Sequence, residues 1–372
     1  MRLAIVRQRY NAYGGAERFI ERALAALRGQ GVAVTVFARE WTGDPGSVVR
    51  CNPFHIGRLW RDWGFARAVR GELARRSFDL VQSHERIAGS ELYRAGDGVH
   101  AQWLQNRRAT LGPVARLGLT LNPYHRYVLA AERKVFESAR LRAVICNSRM
   151  VRKEIRNRFG VPEAKLHVIY NGIDLEAFHP RLRESHRAPV REKLGIAPDA
   201  LVHLFVGGGF ERKGVFPLLK ALARAARGAH LVVVGRDKLQ RHAERLADSL
   251  GIARIVHFVG GQTDVRPFYG AADSFVLPSL YDPFPNAALE AMACGLPVIT
   301  TPQCGTSELI EDGADGFVVE ACATEALAAA LAKLDVATAR EMGRRARQRA
   351  EGLSLESMTE RLLALYRSLM RA

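Results

Sequence analysis

The sequence predicts an α/β protein of two Rossmann-like, doubly wound domains facing each other across a cleft. Three observations lead there. The chain has 372 residues, more than one ordinary core covers. Short β-rich runs alternate with helical patterns along most of its length, as parallel strands joined by crossover helices require. The rhythm breaks once, at residues 181–200, a polar stretch with no strand pattern expected to be the linker and entry to the second domain, and then restarts.

In the first half, strands are expected over residues 3–7, 32–38, 80–83, 143–147 and 167–170. Gly14 and Gly15 precede a helix over about 16–27, where Phe19, Ile20, Ala23, Leu24 and Leu27 repeat on one face. In the second half, strands are expected over 204–206, 231–234, 256–259, 274–277, 297–300 and 317–319. A last helix, over about 355–369, carries Met358, Leu362, Leu363 and Tyr366 on one stripe. The domains expected are residues 1–180 with the C-terminal helix at about 355–372, and residues 190–354.

Composition narrows the class. Hydrophobic residues are 48% and charged residues 25%, as in soluble globular proteins. The five cysteines are scattered and form no C-x-x-C pair, so neither a disulfide framework nor a zinc site is supported. Reduced thiols in a cytoplasmic protein are expected. The N-terminal apolar run is too short for a secretory signal, and no run is long enough to span a bilayer. The formal net charge is +17. Residues 1–180 hold 30 Lys and Arg against 16 Asp and Glu; residues 181–372 hold 25 against 22. The positive field therefore belongs to the first half, and it suits nucleic acid, an anionic membrane surface or an acidic substrate. No nucleic-acid-binding module accompanies it, so no nucleic acid partner is expected.

Two segments carry chemistry. The first is FVGGGFERKG at 205–214. Gly207, Gly208 and Gly209 let backbone approach a ligand, the helix beyond offers free N–H groups, and Arg212 and Lys213 add full charges. Together they suit a diphosphate; an ordinary Gly-rich turn with two solvated cations is the plainer alternative. The segment is neither a Walker A loop nor a G-x-G-x-x-G fingerprint, and no such fingerprint opens the chain, which argues against a dehydrogenase. The second is PSLYDPFPNAALEAMACGLPV at 278–298. Asp282 follows a strand and Glu290 lies in the next helix. Carboxylates accept pairs of hydrogen bonds from vicinal hydroxyls, so the two acids suit the two sugars of a nucleotide sugar. Phe284, Pro285 and Asn286 mark the helix start, and Pro285 has no N–H to offer.

The strings GGFERKG, YDPFPNAALE and GLPVIT are similar to the G-G-x-x-x-x-K-G, E-x-P-F-G-x-x-x-x-E and Gly-x-Pro-Val patterns of the retaining family 4 glycosyltransferases, which have the B fold. Gly14, Gly15 and Glu17 resemble that family's acceptor-side glycine loop. Arg212-Lys213-Gly214-Val215, VVVGRDK from Val232 and Thr301-Pro-Gln-Cys-Gly305 resemble the lipopolysaccharide core glucosyltransferases within it. The resemblance implies an acceptor-binding, membrane-facing domain at 1–180 with 355–372 and a donor-binding domain at 190–354. It implies transfer of a hexose from a nucleotide sugar, UDP-glucose or similar, to a membrane-bound glycolipid such as the lipopolysaccharide core. Another glycan or exopolysaccharide lipid, or a catalytically degenerate sugar-nucleotide binder, are the alternatives.

The same resemblance gives the residues roles. Gly14, Gly15 and Gly208 would approach the donor diphosphate, and Arg212 and Lys213 would stabilise its departing charge. No cofactor and no metal are expected, since the chain has no Asp-x-Asp triplet. Asp282 and Glu290 would hold the donor sugar and the ribose, with Phe284, Pro285 and Asn286 beside them. Asp97 would act near the anomeric carbon, with His84 and His100 as competitors. Asn171 matches a strand-end Asn-Gly turn, and Glu17 is a further acceptor-side residue. Two departures stand out: Asp282 where the family has Glu, which bears on donor choice, and Pro285 where it has Gly. Trp103, Leu104, Leu111, Leu117, Leu119 and Tyr124, mixed with arginines over 101–134, suit an interfacial helix on anionic lipid, with Trp60, Trp63, Arg67 and Arg70 contributing. The protein is expected on the inner face of the cytoplasmic membrane, as a peripheral protein.

Overall fold

The computed structural model describes residues 1–9, 27–29, 31–41, 47–225 and 228–371. Gly14, Gly15, Glu17 and nearly all of the helix expected over 16–27 lie outside the described residues. The chain forms two compact units, Met1–Gly172 with Leu355–Ala372, and Ile173–Ser354.

The first unit is built on β1 (Arg2–Val6), β2 (Ala33–Ala38), β3 (Val48–Arg50), β4 (Leu80–Ser83), β5 (Leu92–Arg94), β6 (Ala143–Cys146) and β7 (Leu166–Val168). They form one sheet in the order β3-β2-β1-β4-β5-β6-β7, every pair parallel. The strands β3 and β5 are not among those the sequence predicts; each is short and ends in an arginine, which breaks an apolar run. Alternate residues of β1 face opposite layers. Leu3 and Ile5 pack with Val34, Val36 and the helix Leu355–Arg371 through Met358, Leu362 and Tyr366. Ala4 and Val6 pack with Phe37 and with Phe65 and Val69 of the helix Gly57–Ala74. The C-terminal helix is also tied by polar bonds: the Tyr366 hydroxyl donates to Gln82 Oε1 at 2.7 Å, and Arg142 donates to the Leu369 carbonyl.

The second unit is built on β8 (Val202–Val206), β9 (His230–Val234), β10 (Val256–Gly260), β11 (Ser274–Leu277), β12 (Val298–Thr300) and β13 (Gly316–Val318), again all parallel, in the order β10-β9-β8-β11-β12-β13. Both sheets thus reverse direction once, between β1 and β4 and between β8 and β11. Doubly wound sheets bind ligands beyond the carboxyl ends of strands at such reversals.

The chain passes between units at Gly172, earlier than the boundary expected at 180, and residues 181–200 are no linker. They contain the helix Leu182–Leu194, which belongs to the second unit. Its inward face is charged rather than apolar, and hydrophobic periodicity therefore misses it. Arg183, Arg187 and Arg191, spaced four apart on one face, all reach the fully buried Asp273 carboxylate, at 2.7, 2.8 and 2.6 Å. Asp273 also accepts the Val202 N–H at 2.9 Å, fixing the start of β8. Burial alone would raise the Asp273 pKa, but the arginines outweigh it and hold the carboxyl below the usual range.

Asp273→Ala leaves three guanidinium groups around an empty site, and is expected to destabilise the second unit by ~3–5 kcal/mol in urea denaturation. Because the folded pKa is depressed, the carboxylate's contribution is full above the unfolded value of about 4 and fades as pH falls through the folded one. An Asp273→Ala variant as stable as the parent at pH 7 would rule out this anchoring.

Candidate active site

The two chemistry-bearing segments follow the two strands at the reversal of the second sheet. After β8 the chain passes through Gly207, Gly208 and Gly209 into a four-residue helical turn, Phe210–Lys213. Close packing explains the glycines. A Cβ on Gly208 would stand 2.9 Å from the Arg236 carbonyl oxygen, and one on Gly207 would stand 2.9 Å from Lys213 Nζ. Gly214, at φ +81°, lets the chain turn into the helix Val215–Ala225, and a Cβ there would overlap the Pro278 carbonyl.

That carbonyl belongs to the loop after β11, so the two segments lie against each other. The Leu280 N–H donates to the Arg212 carbonyl at 2.8 Å. Arg212 Nη1 donates to the Tyr281 carbonyl at 2.8 Å and to Asp282 Oδ2 at 3.1 Å, and Lys213 Nζ lies 3.4 Å from the same oxygen. Asp282 is held by its own backbone too, its N–H on the Gln303 carbonyl and its C=O on the Gly305 N–H. One buried carboxylate therefore faces two cations, an arrangement sequence spacing does not foretell. Arriving phosphate oxygens would compete with Asp282 for both, because each cation keeps donors to spare.

Glu290 lies in the helix Asn286–Ala293, which starts at Pro285 with Asn286 as its first residue. The Glu290 carboxylate is 7% exposed and accepts the Tyr269 hydroxyl at 2.8 Å. Phe284 is buried beside this helix start. Asp237 is a participant that the motif analysis does not single out, although it stands within VVVGRDK. Its Oδ2 accepts the Gly209 and Phe210 N–H groups at 2.7 and 3.0 Å, and its Oδ1 accepts Leu239 N–H at 2.8 Å. Burial works against the Asp237 carboxylate, yet these three N–H groups hold its pKa below the usual value. The expectation of free N–H groups ahead of Arg212 is corrected accordingly, since Asp237 already occupies two of them.

At the reversal of the first sheet lies a cavity of about 280 Å³. Arg7, Gln8 and Arg9 line it after β1, Glu85 and Arg86 after β4, and Asp97 after β5. Arg7 Nη1 stands 3.8 Å from Glu85 and 4.0 Å from Asp97, so one cation spans two acids. Burial raises the Glu85 pKa, and Arg7 opposes it. Glu85 escapes sequence analysis because it adjoins His84, the more familiar catalytic type.

Of the other described site candidates of this unit, His84, His100 and Asn171 do not line the cavity. His84 is buried, and Gln82, which Tyr366 orients, contacts its Nε2 at 2.8 Å. Burial, with Arg94 and Arg7 nearby, keeps its pKa well down and the ring neutral. His100 packs its ring on Trp103 and His125, its backbone N–H on Glu132, and burial pushes its pKa to about 3. Asn171 accepts from Arg94 Nη2 at 2.8 Å. Of the three candidates for the anomeric centre, only Asp97 reaches the cavity, with its side chain about half exposed.

Known proteins resemble this chain in sequence and fold. Residues 186–350 match the family model for glycosyl transferases group 1, and residues 13–177 match that for Glycosyltransferase Family 4. Lipopolysaccharide glucosyltransferase WaaG of Escherichia coli K12 is 27% identical over 330 residues, covering 86% of this chain and 85% of its own. The crystal structure of WaaG, a glycosyltransferase involved in lipopolysaccharide biosynthesis, matches with a TM-score of 0.85 and 26% identity, over 98% of this chain and 99% of that one. A D-inositol 3-phosphate glycosyltransferase of Geodermatophilus obscurus is 30% identical over 399 residues, covering 95% of this chain and 84% of its own. Anabaena HepE, solved in complex with UDP-glucose, shares the fold at 19% identity, with a TM-score of 0.75 over 99% of this chain and 100% of that one. Parallel sheets that each reverse once, the paired cations and acids after β8 and β11, and these matches lead to one conclusion: the chain belongs to the family 4 glycosyltransferases, built from two Rossmann-like domains of the B type.

Proposed function

We propose that the protein transfers a hexose from a nucleotide sugar, UDP-glucose or a close analogue, to a membrane-bound glycolipid of the lipopolysaccharide core type, with retention at the anomeric carbon and without a metal. The observation that carries this reading is the Asp282 carboxylate shared by Arg212 and Lys213 beyond β8 and β11. In the resting protein Asp282 balances the two cations. When the donor binds, its diphosphate takes over Arg212 and Lys213, and Asp282 becomes available to the hydroxyls of the transferred sugar. The same cations stabilise the charge that grows on the leaving diphosphate, the work a metal does elsewhere. Glu290, oriented by Tyr269, takes the ribose hydroxyls. Asp97 serves the reacting sugar, and a donor phosphate oxygen assists deprotonation of the acceptor hydroxyl. Similarity to WaaG supports the glucosyl donor and the acceptor class, and the complex of HepE, a protein of the same fold, with UDP-glucose supports a UDP-sugar donor.

The membrane part of the reading rests on exposed apolar side chains. The expected interfacial helix over 101–134 is in fact three helices, His100–Ala109, Pro113–Leu121 and Pro123–Phe136, interrupted before Pro113 and Pro123. Leu104 is buried and Tyr124 is bonded to Asp62, so neither faces lipid. The middle helix buries none of its residues, and Val114, Leu117 and Leu121 are 87%, 60% and 61% exposed. Phe54, Ile56, Trp60 and Trp63 are also exposed, among Arg58, Arg67 and Arg70. Among the described residues no helix is long and apolar enough to cross a membrane. Shallow insertion at the inner face of the cytoplasmic membrane suits these elements, with basic side chains adding about 1 kcal/mol each near anionic lipid.

Lys213→Ala and Glu290→Ala are each expected to cut transfer from a radiolabelled nucleotide sugar by ~100-fold or more while the fold persists. Near-parental rates in both variants would remove the donor-site assignment. Chelation with EDTA is expected to leave the rate unchanged; a loss restored by Mn²⁺ or Mg²⁺ contradicts the metal-free reading. In vesicle co-sedimentation, anionic vesicles are expected to retain the protein and zwitterionic ones to release it, with Leu117→Asp weakening retention. Equal retention by both vesicle types would exclude the electrostatic part.

A further inference from the structure

The helix Asn286–Ala293, which carries Glu290, is eight residues long, and no side chain caps its start. Helices this short do not hold themselves in water, so the position of Glu290 depends on what grips the helix from outside. Two side chains grip it, one near each end. At the start, the Tyr269 hydroxyl lies 3.1 Å from the Ala287 carbonyl and donates to Glu290 Oε2 at 2.8 Å. At the end, Arg347 Nη1 donates to the Ala293 carbonyl at 2.7 Å. The last carbonyls of a helix have no partner within it, and a guanidinium charge suits the negative end of the helix dipole.

Both grips meet on one residue, Phe178. Its ring packs edge-on against Tyr269, with centroids 5.8 Å apart, and its carbonyl accepts Arg347 Nη1 at 3.0 Å. Phe178 is buried and set by a tight turn. Its N–H donates to the Asp174 carbonyl at 3.0 Å, and Asp174 Oδ1 accepts the Glu176 and Ala177 N–H groups at 3.1 and 2.9 Å. Arg347 is fixed as well, its Nε donating to Glu351 at 3.1 Å. Its helix, Val336–Glu351, presses so closely on the end of the Glu290 helix that a Cβ on Gly343 would overlap the Gly295 carbonyl. The contacts close into a ring, from Phe178 to Tyr269, to the helix with Glu290, to Arg347 and back to Phe178. Phe178, Tyr269 and Arg347 all stand outside the two chemistry-bearing segments. The bonds that place Arg212 and Lys213 run instead through Leu280, Tyr281 and Asp282. Two parts of the site are thus placed by two separate sets of contacts.

We propose that Phe178 and Arg347 are positioning residues for Glu290, and that through it they set how strongly the protein distinguishes a nucleoside diphosphate with ribose hydroxyls from one without them. The proposal rests on the reading of Glu290 as the ribose acceptor and deepens it. A carboxylate takes two vicinal hydroxyls only when both its oxygens stand at hydrogen-bond distance, and a displacement of ~1 Å ends that. Loss of the Arg347 bond frees the end of the helix. Loss of the Phe178 ring frees Tyr269, whose hydroxyl then no longer fixes Glu290 Oε2. Neither change touches Arg212 or Lys213.

The test is calorimetric titration of the full chain with UDP and with 2′,3′-dideoxy-UDP, which keeps the base and the diphosphate and lacks both hydroxyls. The parent is expected to prefer UDP by ~10-fold or more, the worth of hydrogen bonds to a charged acceptor, and Glu290→Ala to erase that preference. Arg347→Met and Phe178→Leu are each expected to cut the preference at least ~3-fold, while the dideoxy compound binds each as it binds the parent. Arg347→Lys, which keeps a donor for the Ala293 carbonyl, is expected to retain more of the preference than Arg347→Met. A role confined to holding the fold gives another pattern, with both ligands weakened alike or neither weakened. That pattern in Arg347→Met and Phe178→Leu overturns the proposal, and in one of them it removes that residue from the assembly. If the parent shows no preference, or Glu290→Ala keeps it, the ribose reading of Glu290 fails instead.

Discussion

The reversal of strand order between β8 and β11 is the constraint on which the candidate site of the second unit depends. Parallel strands must be joined by crossovers, and a sheet wound both ways from its first strand has one place where the two neighbouring crossovers leave on opposite faces. There the loops after β8 and β11 meet with no helix between them. Segments some 70 residues apart in sequence then share hydrogen bonds, from Leu280 N–H to the Arg212 carbonyl and from Arg212 to the Tyr281 carbonyl. Glycine makes the meeting close enough: Cβ atoms at 207, 208 and 214 would strike Lys213, Arg236 and Pro278. The position of Asp282 against two cations follows from topology and is then fixed by local sterics.

This geometry has an electrostatic consequence. A buried carboxylate alone is costly, and so are two adjacent cations in a partly desolvated loop. Placed together they compensate, so the unliganded site is stable without a ligand. The compensation is also exchangeable, because a diphosphate offers more negative charge than one carboxylate and would draw both cations toward itself. Asp237 acts differently. Bound to backbone N–H groups rather than to side-chain cations, it braces the loop through Gly209 and Phe210 whether or not Arg212 and Lys213 change partners.

Much of this architecture is legible in the sequence, and the exceptions have physical causes. Strands such as 231–234 and 274–277 announce themselves because they are buried and rich in β-branched or aromatic residues. The strand Leu92–Arg94 does not, being three residues long and ending in a buried Arg. The helix Leu182–Leu194 hides because its inward face is arginine, and its partner Asp273 lies 82 residues beyond Arg191, outside any local pattern. Among site residues, Arg212, Lys213, Asp282 and Glu290 stand in contiguous motifs and are found by reading along the chain. Glu85, Asp62 and Asp237 act through contacts across 28 to 77 residues and become visible only when the sheet brings strand ends together. His84 and His100 differ for the opposite reason: residue type suggests chemistry, while the structure packs them against Gln82 and Trp103, away from the cavity lining.

The same distinction between local charge and net charge governs the basic half of the chain. A surplus of Lys and Arg over residues 1–180 invites the inference that the acceptor is anionic, yet net charge says nothing about where the field acts. The described arginines facing the cavity each have a carboxylate within 4.0 Å, and a matched pair contributes little potential beyond a few ångströms. Other cations of this unit are buried on neutral partners, Arg39 on Asn52 and Arg94 on Asn171, and exposed ones stand among apolar side chains, where Val114, Leu117 and Leu121 adjoin Arg116 and Trp63 lies beneath Arg67. Attraction over a Debye length of about 8 Å suits a broad lipid surface, whereas discrimination between sugar hydroxyls needs contact geometry.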